Sequence, residues 1–233
     1  MDYNELYQLW SANVTDPALK KELDSIKGDN DAIQDRFYKD LEFGTAGLRG
    51  VIGAGTNRMN IYTVGRATQG FSDYINTNFE NASVAIGYDS RNNSDLFSRT
   101  AAQVFAANGI KVWLYPELAP TPMLSFAVRY YHCAGGVVVT ASHNPAEYNG
   151  YKAYGPDGCQ LSGEASALVT EAVEKVDLFT GIKSVDFDAA LADGRIEYIG
   201  SDDYESYYEN VMAQLIDRDV IRSADLKVIY TPI

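Results

Sequence analysis

The sequence predicts an α/β protein: helices packed on a mixed, mostly parallel sheet, followed by the start of a second, similar domain. Three observations carry this. From residue 83 onward, short β-branched runs alternate with stretches of helical spacing, the signature of strand–helix–strand units. The 233 residues are 46% hydrophobic and 22% charged, a globular composition that excludes disordered, collagen-like and coiled-coil chains. A chain of this length buries about 70% of its unfolded surface, enough for a core without disulfide staples.

Residues 1 to about 40 read as helices. In VTDPALKKELDSI, Thr15 or Asp16 followed by Pro17 is a start signal, and AIQDRFYKDLEF continues the pattern. FGTAGLRGVIGAGTNRMN, with five glycines, breaks it as a loop or tightly turned strand. IYTVGRATQGFSDYINTNF returns to helix. SVAIGYD reads as a buried strand, and Ser94 as the cap of the helix that ends at Gly109. IKVWLY is a strand, TPMLSFAVRYY a helix, GGVVVTAS a strand, YNGYKAYG a further short strand and SGEASALVTEAVEKV a helix. VDFDAALADGRIEYIGSDD is polar and turn-rich and reads as a boundary. YESYYENVMAQLI then reads as a helix and DLKVIYTPI as a buried strand. A lone helix and strand cannot cover both faces of a parallel-type strand. The reading is therefore one domain over residues 1–201 and the truncated start of a second over 202–233.

Thirty-two acids and 19 bases give a net charge of −13, which argues against nucleic acid and anionic membranes as partners. The acids are unevenly spread. Residues 43–72 hold Arg49, Arg58 and Arg66 and no acid, and residues 118–146 hold Arg129 and no acid. Windows cleared of negative charge in an acidic protein are what an anion site requires. The N-terminus, MDYNELYQLW, lacks the basic-then-apolar plan of a signal peptide, and no apolar run approaches the ~20 residues of a membrane helix. Two cysteines, Cys133 and Cys159, make no disulfide framework, so the expected setting is the reducing cytoplasm.

Ligands of parallel sheets sit beyond the carboxyl ends of strands. TASHNP, residues 140–145, follows GGVVV directly and is the leading candidate. Ser142 there is an attacking nucleophile or a phosphoryl carrier, His143 an acid or base, and Asn144 and Pro145 stiffen the turn. Ten residues on, Lys152 can hold a phosphate or take a proton from a substrate hydroxyl. Arg49 sits among glycines that let a guanidinium approach an anion closely. Asp89 and Arg91 in GYDSR end a strand in the same way, and their simplest reading is a pair with each other. GxGxxG, P-loop and CxxC motifs are missing. His132 and His143, the two histidines, make no zinc site unaided. A G-x-S-x-G elbow is also missing, which excludes a serine hydrolase of that type.

FGTAGLRG, GYDSR and TASHNPAEYNGYKAYGPDG, in that order, resemble the α-D-phosphohexomutases. The helical lead and KVIYTPI are most similar to their bacterial phosphoglucomutase/phosphomannomutase branch. The resemblance implies a four-domain enzyme that moves a phosphoryl group between the 1- and 6-positions of a hexose phosphate, through a phosphoserine and a hexose 1,6-bisphosphate intermediate. It implies Ser142 as the carrier, His143 and Lys152 as proton-handling or phosphate-neutralising neighbours, Arg49 in the cleft, and Asn144 with Arg49 and Lys152 in substrate binding. It implies one Mg²⁺ against the phosphate on Ser142. The family's Asp-Gly-Asp-x-Asp-Arg metal loop, its sugar-recognising loop and its phosphate-clamping loop do not occur here. The chain by itself is therefore expected to be inactive, and its final ~30 residues either to pack irregularly or to self-associate through the exposed C-terminal strand. The alternative is a non-catalytic anion-binding or interaction module that kept the fold.

Overall fold

The N-terminal lead folds because each of its helices is capped by an aspartate. In the computed structural model, which describes residues 1–44, 47–217 and 219–231, helices α1 (Tyr3–Asn13), α2 (Pro17–Ser25) and α3 (Asn30–Phe37) begin at Asp2, Asp16 and Asp29. Each carboxylate accepts first-turn amides that have no helical partner. The three helices bury Tyr7, Trp10, Leu23, Ile33 and Phe37 in a small core of their own, with the Trp10 and Phe37 rings 5.7 Å apart, edge to face. Helix α3 stops short of the span its sequence suggests. The chain at 39–41 bonds instead to Thr56, whose hydroxyl donates to the Lys39 carbonyl at 2.7 Å and whose carbonyl accepts from the Leu41 amide at 2.8 Å.

The remaining elements follow in alternation. They are β1 (Gly47–Val51), α4 (Ile61–Asn78), β2 (Ser83–Tyr88), α5 (Ser94–Ala107), β3 (Lys111–Leu114), α6 (Thr121–Tyr130), β4 (Gly135–Val139), β5 (Tyr148–Tyr154), α7 (Gly163–Glu174), α8 (Phe187–Ala192) and β6 (Ile196–Tyr198). The sheet order is β1-β5-β4-β2-β3-β6. Strands β4, β2, β3 and β6 run parallel, while β5 is antiparallel to β4 and β1 antiparallel to β5. This is the mixed, mostly parallel sheet that the sequence predicts. Helices α4, α5, α7 and α8 cover one face, where Phe71, Phe97, Phe105, Val169 and Phe187 pack on Val84, Ile86, Val137, Val139 and Tyr151. Each such buried side chain contributes roughly 1.5–3 kcal/mol. On the other face α6 lies over β2 and β4, with Leu124 and Val128 fully buried.

Three expectations are corrected. The stretch 185–203, read as turn-rich, holds α8 and β6, and β6 extends the sheet by pairing parallel to β3, although the boundary expected there does fall inside it, after Ile199. Phe187, Ala190 and Ile196 are buried there, so a few apolar contacts outweigh a polar composition. Ser94 does not cap α5: Asn93 occupies that position with φ +61°, and the Ser94 hydroxyl lies 2.9 Å from Asp89 Oδ1. The strand expected at DLKVIYTPI is not formed over 225–231, and Pro232 and Ile233 lie outside the described residues. A strand exists only against a partner, and Leu226, Val228, Ile229 and Tyr230 are all exposed. The self-association reading therefore rests on an unpaired coil and not on a formed edge.

The chain divides into two compact units, Met1–Ile199 and Gly200–Ile233. The second consists of α9 (Ser201–Met212), α10 (Asp219–Ser223) and the coil that follows. Among the described residues no helix is long and apolar enough to cross a membrane.

Candidate functional site

Strand register brings two cations together. In the β1–β5 ladder Arg49 stands opposite Gly150 and Lys152 opposite Gly47, so the two are diagonal neighbours on one face. Lys152 is also opposite Val138 of β4. Leu48 and Tyr151 alternate with them and point into the main core, so the cations emerge on the opposite face. Each cation faces a glycine. Gly47 has φ +140°, a conformation that side chains rarely adopt.

Arg49 and Lys152 line a hollow of about 290 Å³ with Thr140, Tyr151 and Gln160. The Tyr151 ring itself lies in the core on the far face, where complete burial pushes its phenol above the ordinary value. Among the described residues, no carboxylate pairs with Arg49 or Lys152. The other two arginines of the acid-free window differ. Arg58 pairs with Asp35 and Arg66 with Asp40, acids supplied by the helical lead and the turn after it. Of the three, only Arg49 pairs with no carboxylate among the described residues.

Ser142 lies in the loop after β4 and is exposed. Its φ is +54°, the left-handed region, at a cost of about 1–2 kcal/mol for a residue with a Cβ. Two groups hold it there. The Ser142 amide donates to Thr140 Oγ1 at 2.9 Å, and Thr140 also lines the cationic hollow. On the other side, the Ser142 carbonyl accepts from Arg91 Nη2 at 2.8 Å and from Nε at 3.3 Å. The Ser142 hydroxyl is 3.3 Å from His143 Nδ1, a contact whose donor depends on the imidazole tautomer.

Arg91 makes contacts beyond the pairing with Asp89 that the sequence suggests. Its guanidinium is 3.9 Å from Asp89, and its shorter contacts are to main-chain oxygens. Besides Ser142, it donates to the carbonyls of Asn144, Pro145 (2.9 Å) and Tyr148 (2.9 Å). Asp89 accepts instead from the Arg91 amide at 3.0 Å and approaches the Ser94 hydroxyl, which in turn accepts from Asn149 Nδ2 at 3.0 Å. No sequence signal marks these partners, because every residue carries a carbonyl.

Ser142, Asn144, Asp89 and Arg91 line a second hollow, of about 350 Å³. Asn144 Oδ1 is buried and accepts no hydrogen bond. The predicted residues thus fall in two groups. Arg49 and Lys152 share one hollow and Ser142 and Asn144 the other, with Thr140 bonded to Ser142 from the first and His143 exposed beside it. An anion held at Arg49 and Lys152 would meet positive charge with no competing acid. Among the described residues, no group of three His, Cys, Asp or Glu side chains converges to hold a metal.

Residues 40–179 match the family model described as phosphoglucomutase/phosphomannomutase, alpha/beta/alpha domain I. The chain is 37% identical over 224 residues to a phosphoglucomutase of Staphylococcus saprophyticus, covering 96% of this chain and 40% of that protein. It is 38% identical over 200 residues to one of Staphylococcus epidermidis, covering 85% and 36%. The chain thus spans well under half the length of these curated relatives. Among solved structures it is similar to a Thermus thermophilus protein assigned as a phosphomannomutase, with a TM-score of 0.64 and 29% identity over 76% of this chain and 36% of that one. Paramecium parafusin in its open form shares the fold, with a TM-score of 0.58 at 19% identity, over 79% of this chain and 36% of that one.

Proposed function

Since the chain belongs to the phosphoglucomutase/phosphomannomutase family, we propose that it carries the phosphoryl-bearing serine of a hexose-phosphate mutase, and that Ser142 is that serine. The observation that supports this most directly is the exposed Ser142, held at positive φ with its amide bonded to Thr140, which lines the same hollow as Arg49 and Lys152, cations that pair with no carboxylate among the described residues. Phosphoryl transfer asks little covalent chemistry of a protein and mainly needs positioning and positive charge.

In this reading a hydroxyl of the hexose phosphate attacks the phosphorus carried on Ser142. The new O–P bond forms as the Ser142 Oγ–P bond breaks. The attacking hydroxyl loses its proton, and the released serine oxygen gains one. His143, within 3.3 Å of that oxygen, exchanges protons with it. Transfer back from the other phosphate of the hexose 1,6-bisphosphate completes the isomerisation. Arg49 and Lys152 neutralise phosphate oxygens, and Asn144 binds a substrate polar group. Mg²⁺ takes an octahedron of oxygen ligands, and among the described residues no carboxylate cluster supplies one. The residues present do not make a Mg²⁺ site, and no step above runs through the ion.

The test is phosphorylation of the chain by glucose 1,6-bisphosphate, followed by mass mapping of the modified peptide. One phosphoryl group on Ser142, lost in Ser142→Ala, is expected. Phosphate binding without any transfer to Ser142 would favour the non-catalytic anion-binding module instead. A coupled assay on the 233-residue chain is expected to find no enzyme-like turnover of glucose 1-phosphate.

A further inference from the structure

The loop from Ser142 to Tyr148 wraps its main-chain oxygens around a single side chain. Four carbonyls, those of Ser142, Asn144, Pro145 and Tyr148, accept from Arg91, whose side chain is only 13% exposed. Asn92 adds to the same attachment by donating to the Ala146 carbonyl at 3.4 Å, and Asn149 Nδ2 donates to the Asn92 carbonyl at 2.9 Å. The peptide groups on both sides of Ser142 are therefore fixed, the amide by Thr140 and the carbonyl by Arg91. A non-glycine residue in the left-handed region persists only where its surroundings over-determine it. Relaxation to negative φ would swing the Ser142 hydroxyl away from its present line.

We propose that Arg91 is the positioning residue for Ser142. It is a guanidinium pin, set by the β2–α5 turn, that holds the 142–148 loop and so aims the serine hydroxyl for phosphoryl transfer. The catalytic half of this rests on the carrier reading of Ser142, whereas the pinning half stands on the geometry alone. A lysine cannot substitute, because one ammonium group cannot serve four carbonyls spread around a planar fork.

The experiment compares the full chain with Arg91→Ala and Arg91→Lys. The first readout is hydrogen exchange at the amides of Ser142, Asn144 and Tyr148, which donate to Thr140 Oγ1, the Ala141 carbonyl and the Pro145 carbonyl. Exchange there is expected to quicken at least about tenfold in both variants, while the β2 and β4 amides stay within about twofold of wild type. Guanidinium ion well below denaturing concentration should restore protection to Arg91→Ala, and equal sodium chloride should not. Loss of a purely global contribution to stability would be worsened by guanidinium, not repaired. The second readout is the rate of phosphoryl transfer from glucose 1,6-bisphosphate to Ser142, expected to fall and recover in parallel. Should Arg91→Ala fail to fold, Arg91→Lys decides alone, since it keeps the charge beside Asp89. Wild-type loop exchange in a folded variant overturns the pin. A faster-exchanging loop with an undiminished transfer rate overturns the positioning role. A wild-type chain that accepts no phosphoryl group removes the carrier reading of Ser142, and the loop exchange then still decides the pin.

Discussion

Gly150 stands opposite Arg49, and a Cβ on it would lie 2.6 Å from the Thr140 carbonyl oxygen and 2.9 Å from that of Leu48. The three strands meet here with no room for a methyl group. Gly150→Ala is therefore expected to push β1 or β4 off β5 at a cost of about 1–3 kcal/mol. The melting temperature should fall by about 2–4 °C per kcal/mol for a chain of this size. An unchanged midpoint in a thermal scan would refute the close approach.

Arg49→Gln and Lys152→Gln test the charge of the first hollow. Neither residue pairs with a carboxylate among the described residues, so neither change should lower the melting temperature. Each should weaken binding of inorganic phosphate about tenfold, as loss of a charge-assisted hydrogen bond does. Titration calorimetry in low and high salt checks both points, because binding of this kind weakens as salt screens it.

Glu22 ties the helical lead to the loop after β1. Its carboxylate accepts from Arg36 Nη1 and, at 2.9 Å, from the Ala54 amide. Glu22→Ala leaves a half-buried guanidinium and an amide without that partner and should cost about 1–3 kcal/mol. Glu22→Gln should recover part of this, as read from urea midpoints.

Cys133 makes stability depend on alkaline pH. Burial pushes its thiol from 9.0 up to about 11, with the Ser83 hydroxyl contact working the other way. The folded chain keeps this proton where the unfolded chain has lost it, so the unfolded state binds fewer protons. The contribution is complete below about pH 9, declines as pH rises, and is lost through about pH 11. Its size is on the order of 2–3 kcal/mol. Denaturant melts between these limits should show a shallower decline in Cys133→Ala. In the folded chain, iodoacetamide should label exposed Cys159 and spare buried Cys133.

What could be read in the sequence divides along physical lines. Arg49, Ser142, His143 and Lys152 stood out because their chemistry is carried by side chains in short, glycine- or proline-marked motifs. The hollow that Arg49 and Lys152 share is not legible there, because it depends on strand register. The pairing of Arg91 with Asp89, two positions away, is present at 3.9 Å, but the hydrogen-bond acceptors of its guanidinium are main-chain oxygens more than fifty residues further on. The alternation from residue 83 gave the strands and helices through α7, where period and β-branching agree. It failed at α8 and β6, whose six and three residues are too short to show a period. It failed again at residues 225–231, where an apolar run has the composition of a strand but no neighbour to bond.

Among the described residues strand β1 hydrogen-bonds within the sheet to β5 alone, and the pair Arg49–Gly150 joins positions about a hundred residues apart. On the ribosome, then, the guanidinium exists long before the amine that it will stand beside. Until residue 154 has cleared the exit tunnel, the growing polypeptide has no place to dock its glycine-rich front segment. Closure of that long loop is entropically slow relative to local hairpins and helices. A nascent chain stalled before this point should lack the paired cations altogether, and affinity for phosphate should appear as a late event of biosynthesis.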